Sequence, residues 1–212
     1  MDKLNIRQVT IEDTKDILKI YEPYILNTPI TFEYDVPSIK EFEERIRKIT
    51  SKYPYLVCEE NNEIIGYAYA SEYKGRKAYD YTVELSIYIK EGYNKKGIGK
   101  NLYMALIEIL KKQNFKIVYA CITVHRTLGS NKFHEKLGFK EIGFFEKSGY
   151  KDNNWYDTAW YSLEIGKFEK HPKDITPINE LDNKEKDKII QKYNNILNKS
   201  SWLFYRKDII SI

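Results

Sequence analysis

The stretch NKKGIGKNLY, residues 94–103, sets two glycines one residue apart among lysines, directly ahead of a periodic apolar run. Leu102, Ala105, Leu106, Ile109 and Leu110 fall on one face at helical spacing. The first turn of a helix has unsatisfied main-chain N–H groups and a partial positive charge. Glycines let an anion approach those groups closely, and phosphates are the usual guests. Lys95, Lys96 and Lys100 add charge. The same residues also suit a plain strand-to-helix turn with solvated lysines, since short Gly-x-Gly matches are common by chance. The surroundings have to decide.

Upstream, DYTVELSIYIK (80–90) reads as a long strand that Glu84 interrupts. Before it, YLVCEE (55–60) and IIGYAYAS (64–71) flank Asn61-Asn62-Glu63, which predicts a hairpin. SEYKGRKAY (71–79) is a basic loop. Nearer the start, LNIRQV (4–9) alternates like a strand. Thr10 suits a helix N-cap with Asp13 three residues on, and Pro29 ends that helix. Ser38 can cap a second helix carrying Phe42, Ile46 and Ile49, stopped at Tyr53-Pro54.

Downstream, FKIVYACITV (115–124) predicts a strand and SNKFHEKLGF (130–139) a short helix closed by Gly138. KEIGFFEKSGY and WYDTAWYSLEI predict two strands around KDNN. After Gly166 the composition changes, with Pro172 and Pro177 marking a linker. Residues 182–199 predict a polar, lysine-rich helix with Ile189, Ile190, Tyr193, Ile196 and Leu197 in a stripe. Asp182 and Glu185 have capping-box spacing. SWLFYRKDII follows and is too apolar for a free tail, so residues 180–212 are expected to pack on the rest of the protein or on a second subunit.

The 212 residues suffice for one domain with an appendage. A net charge of +4, from 35 basic and 31 acidic residues, is too balanced to argue for nucleic acid. Cys58 and Cys121 sit in apolar runs and read as buried free thiols, with no metal-ligand cluster and no disulfide framework. The N-terminus does not read as a signal peptide, and no apolar run approaches a membrane span. A cytoplasmic protein without membrane contact or metal is the expectation.

The order β-α-α-β-β-β-α-β-α-β-β, with a glycine turn entering the helix after a long strand, resembles the GCN5-related N-acetyltransferase (GNAT) family. That resemblance implies an α/β fold whose mixed central sheet splays between its middle strands and is flanked by helices. It also implies acetyl-CoA in the cleft. The family's turn reads Gln/Arg-x-x-Gly-x-Gly/Ala; here it is Asn94-Lys95-Lys96-Gly97-Ile98-Gly99, with asparagine first and both glycines in place. Lys100 extends this implied pyrophosphate site. Main-chain groups of Ser86, Ile87, Tyr88 and Ile89 are implied to pair with the pantetheine arm. NTPITFEY (27–34), YPYLV (53–57), AYDYTVE (78–84), FHEKLGF (133–139) and GYKDNNWYDTAWY (149–161) resemble the phosphinothricin and methionine sulfoximine acetyltransferase branch. The similarity runs over about residues 4–178. It implies a catalytic domain at 1–166 and a linker with a helical extension at 167–212.

The amine of an amino acid is mostly protonated near pH 7, so acetyl transfer benefits from a base. Glu84 is the candidate, a carboxylate in an apolar strand, though alternation alone also permits a solvated strand glutamate. His134 stands in the short helix where relatives carry the tyrosine that protonates the leaving thiolate, and histidine can give or take a proton near neutrality. Thr127 and Ser130 match coenzyme-contact positions in the family's pattern. The resemblance further implies that Phe32, Lys74, Arg76, Val83 and Leu85 meet the acceptor, the basic pair serving its anionic groups. The implied activity is acetyl-CoA-dependent N-acetylation of a small amino acid or analogue by a homodimer. Acetylation of a protein N-terminus or another small amine, and a non-catalytic acetyl-CoA-binding module, are the alternatives.

Overall fold

The structure, a computed structural model, describes residues 3–124 and 130–209, with side chains through Lys199. β1 (Leu4–Gln8) leads through a 3-10 turn at Ile11–Asp13 into α1 (Thr14–Asn27). Thr10 and Asp13 form the capping box at that entry. α2 (Ile39–Thr50) follows, with Ser38 and Glu41 making a second capping box. β2 (Tyr55–Glu60), β3 (Glu63–Glu72) and β4 (Thr82–Ile89) come next, then α3 (Ile98–Lys112), β5 (Ile117–Val124) and α4 (Ser130–Lys136). The chain continues through β6 (Lys140–Lys151), β7 (Asn154–Glu164) and α5 (Asn183–Ile209).

Asn61 and Asn62 take φ of 52° and 64°, and Asp152 and Asn153 take 50° and 62°. Both hairpins therefore turn through consecutive left-handed residues, which suits asparagine and matches the twist of the strands.

The seven strands form one sheet in the order β1-β2-β3-β4-β5-β7-β6. Every pairing is antiparallel except β4 with β5. That parallel pairing is short: Thr82 with Ile117, Val83 with Val118 and Glu84 with Tyr119. Beyond Glu84 the two strands separate, while β4 stays paired to β3 as far as Ile89 with Gly66. This is the splayed mixed sheet.

Side chains alternate across β4. Val83 and Leu85 enter the core on the α3 side, with Ile98, Leu102 and Leu106. Tyr88 packs on the other side, with Tyr21, Tyr67 and the helices α1 and α2. Cys58 is buried and Cys121 half-buried, and both are free. Burial pushes their thiols up, to about 12 and about 11. Among the described residues no helix is long and apolar enough to cross a membrane.

α5 runs beyond the expected end at 199 as one helix to Ile209, because NKSSWLFYRKDI contains neither proline nor glycine to stop it. Ile189, Ile190, Tyr193 and Leu197 join the α3-side core. Asn194 accepts from the Ile6 N–H at 2.6 Å and donates to the Ile6 carbonyl at 2.9 Å. Asn198 treats Leu4 the same way, at 3.0 and 2.8 Å. Two carboxamides thus take the place of a neighbouring strand along the β1 edge. Glu108 on α3 accepts from Lys192 at 2.7 Å and from Tyr193 at 2.8 Å.

Candidate active site

A cleft of about 800 Å³ opens where β4 and β5 part. The Lys90 N–H donates to Ile65 on β3. Alternation then turns the main-chain groups of Ile87 and Ile89 into the gap. The Tyr24 hydroxyl already meets Ile89, donating to its carbonyl at 2.6 Å and lying 3.3 Å from its N–H. Of the four strand residues expected to offer main-chain groups, Ser86 and Tyr88 face β3, Ile89 is engaged by Tyr24, and Ile87 faces the opening.

The glycine turn forms one end of the cleft. Asn94, Lys95, Gly97, Ile98, Gly99 and Lys100 line it. Gly97 is the N-cap of α3 at φ 81°, a left-handed conformation that favours glycine, and no side chain caps the helix there. The N–H groups of the first turn are therefore left for another acceptor. A Cβ on Gly99 would stand 3.2 Å from Ile87 and 3.5 Å from Phe133, so this glycine lets α3 approach both walls. Lys96 does not line the cleft; its ammonium lies 4.3 Å from the centre of the Tyr93 ring.

Glu84 occupies the last β4–β5 pair, at the point of the fork. It is not among the residues lining the cleft, although Leu85 and Ser86 beside it are. Burial raises its carboxyl above the usual range. Its charge is felt by Tyr69, Tyr103 and Cys121.

His134 lines the cleft and is 2% exposed. Its Nδ1 lies 2.8 Å from the Ser130 carbonyl, which assigns the proton to Nδ1. Nε2 then accepts from the Tyr103 hydroxyl at 3.4 Å. Burial pulls the imidazole pKa down, against the Ser130 carbonyl. The neutral ring is an acceptor toward Tyr103, and the proton on that side belongs to the tyrosine.

The expected acceptor residues do not converge. Lys74 is exposed and sits 5.0 and 5.3 Å from the ring centres of Tyr73 and Tyr79. Arg76 is exposed on the same loop. Phe32 packs against Gly149 and lies 6.3 Å from Tyr156, ring to ring. Leu85 lines the cleft from the α3 side. Val83 corrects the expectation: it is fully buried in the core, and strands pair with it on both sides, so it has no surface to offer an acceptor. Ser130 lines the cleft, and Thr127 lies outside the described residues. Tyr24, Tyr93 and Tyr103 line the cleft as well. Nothing in the sequence marks these three beyond the count of 19 tyrosines. Among the described residues no group of three His, Cys, Asp or Glu is placed to hold a metal.

Residues 6–160 match the family described as acetyltransferase (GNAT) domain. The chain is 31% identical over 140 residues to phosphinothricin N-acetyltransferase of Streptomyces viridochromogenes, covering 66% of this chain and 76% of that one. It is 29% identical over 144 residues to an L-methionine sulfoximine/L-methionine sulfone acetyltransferase of Pseudomonas paraeruginosa, covering 66% and 81%. Among solved structures, a phosphinothricin acetyltransferase from Sinorhizobium meliloti in complex with AcCoA superposes with a TM-score of 0.73 at 35% identity, covering 77% of this chain and 89% of that one.

Proposed function

Because the chain belongs to the GNAT acetyltransferase family, we propose that it transfers the acetyl group of acetyl-CoA to the α-amino group of a small amino acid or analogue of the phosphinothricin or methionine sulfoximine kind. The observation that carries this reading is the fork between β4 and β5, with an uncapped helix N-terminus at one end and a half-buried carboxylate at its point. Acetyl-CoA supplies the acetyl group as a thioester. The first turn of α3, with Lys95 and Lys100, holds its pyrophosphate, and Ile87 offers main-chain groups to the pantetheine arm. Glu84 takes a proton from the acceptor ammonium, directly or through a water, and its raised pKa suits it to that exchange. The freed nitrogen bonds to the acetyl carbon as the carbon–sulfur bond breaks. Tyr103, whose hydroxyl otherwise donates to His134, gives its proton to the departing sulfur and takes in return the second proton that the nitrogen sheds as the amide forms. Lys74 and Arg76 attract an anionic acceptor from the rim.

Residues 1–166 carry this chemistry, and 167–212 support them. The enzyme acts in the cytoplasm, where free thiols such as Cys58 and Cys121 persist. It is a homodimer, a reading supported by Ile142, Phe144, Phe145 and Trp155, all exposed at the β6 end of the sheet.

The test is thiol release from acetyl-CoA across a panel of amino acids, phosphinothricin, methionine sulfoximine, peptides and simple amines. Small amino-acid analogues are expected to be turned over best, and Glu84→Gln is expected to lose about a hundredfold or more of turnover while acetyl-CoA still binds. Release with no panel member, or best with peptides, overturns the acceptor assignment.

A further inference from the structure

We infer that Lys151 is a positioning residue that sets the acceptor-side wall of the cleft. It ends β6, is 2% exposed, and donates to three main-chain carbonyls: Ile25 at 2.5 Å, Thr28 at 2.9 Å and Thr31 at 2.9 Å. An ammonium has three donors, and each has an acceptor here.

The sequence explains why a cation is needed. In a continuing helix the Ile25 carbonyl would accept from the residue four positions on. That residue is Pro29, which has no N–H. The carbonyls at the end of α1 also carry the negative end of the helix dipole. Lys151 supplies the missing donor from a strand distant in sequence.

The segment it holds is the wall itself. Ile30 lines the cleft. The Pro29 carbonyl accepts from Thr123, another lining residue, at 2.7 Å. Thr31 lies 2.9 Å from the Tyr21 hydroxyl, on the α1 side of the sheet. Phe32 follows, with its ring against Gly149. Gly149 and Lys151 are two apart on β6 and so share a face. A Cβ on Gly149 would come within 2.2 Å of the Phe32 ring. One strand therefore hooks the main chain of the segment and leaves room for its aromatic side chain.

This inference rests on the transferase reading for the acceptor side of the wall and for its kinetic arm, whereas the hold of Lys151 on the carbonyls of Ile25, Thr28 and Thr31 does not depend on it. Lys151→Met and Gly149→Ala are compared with the unsubstituted protein in acceptor KM, acetyl-CoA KM, and amide hydrogen exchange of residues 28–32. Asn194→Ala, far from the wall, serves as a variant that lowers stability only. Both wall variants are expected to raise acceptor KM at least tenfold, leave acetyl-CoA KM within twofold, and speed exchange at 28–32; Asn194→Ala moves the melting temperature and neither KM. If Lys151→Met does not fold, Gly149→Ala decides the kinetic arm. Unchanged acceptor KM and unchanged exchange in the wall variants, or equal rises in both KM values, overturn the inference. Should the unsubstituted protein acetylate no amine, the transferase reading fails and the exchange at 28–32 still decides the role of Lys151.

Discussion

The two edges of the sheet are finished in different ways. Along β1, Asn194 and Asn198 meet the N–H and C=O groups of Ile6 and Leu4, and α5 covers the strand. Along β6 the cover is confined to its C-terminal end, where Tyr34 donates to the Tyr150 carbonyl at 2.6 Å, and the stretch with Ile142, Phe144 and Phe145 is exposed. Its register with β7 instead shifts between Glu141 and Gly143 and between Phe145 and Gly149. Bulges of that kind spoil an edge as a template for strand addition. The exposed Ile142, Phe144 and Phe145 remain available to a partner's side chains. A sheet edge can be closed by satisfying its main chain or by distorting it, and only the second leaves a face for association.

The largest expected effect comes from removing the cover. A chain ending at 178 loses Leu181, Ile189, Ile190, Tyr193 and Leu197 from the core. At about 1.5–3 kcal/mol for each large apolar side chain, the loss is about 7.5–15 kcal/mol, comparable to the whole stability of a domain. Such a chain is expected to aggregate or to lose its cooperative melt; a monomer melting within a few degrees of the full chain would show that the seal contributes little.

A smaller break is Asn194→Leu, which leaves the Ile6 N–H and C=O buried without partners. At about 1–3 kcal/mol for each unsatisfied group, it should cost about 2–6 kcal/mol. Urea unfolding should show the lower midpoint at unchanged slope.

At the other edge, Phe144→Ser with Phe145→Ser is expected to weaken self-association at least tenfold, about 1.4 kcal/mol. The melting temperature of the dilute protein should hardly move. Sedimentation over a concentration series reads this directly, and an unchanged dimer would place the interface elsewhere.

The smallest effect sharpens the β1 side. Burial pushes the Glu108 carboxyl up, but hydrogen bonds from Lys192 and Tyr193 outweigh it and hold its pKa below the ordinary value. A depressed folded pKa gives stability that is present above the unfolded value, about 4.3, and is lost as pH falls through the folded one. Glu108→Gln should therefore cost under about 1 kcal/mol at pH 7 and nothing near pH 2. Melting curves at the two pH values test it.

Much of this is legible in local sequence. The Asn61-Asn62 and Asp152-Asn153 turns, the glycine entry to α3 and the capping boxes at Thr10 and Ser38 are all short-range signals. Alternation along β4 carries a further one: neighbours on a strand point to opposite faces, so Val83 and Glu84 cannot both meet one acceptor. Tyr24, Tyr103 and Lys151 are not legible, because each acts on residues remote in the chain. No local pattern tells that a tyrosine in α1 reaches Ile89, or that a strand lysine replaces an N–H that Pro29 lacks.

The β1 seal has a consequence for synthesis. Ile6 and its partner Asn194 are 188 residues apart. At roughly 5–20 residues per second, the first strand leaves the ribosome roughly 10–40 s before the carboxamide that completes it. During that interval the emerging chain carries an uncovered strand edge, and a chaperone or a neighbouring nascent chain can reach it. Helix α5 is the one that ends this exposure, so translation speed over the codons between β1 and α5 sets how long the newborn protein remains open to mispairing.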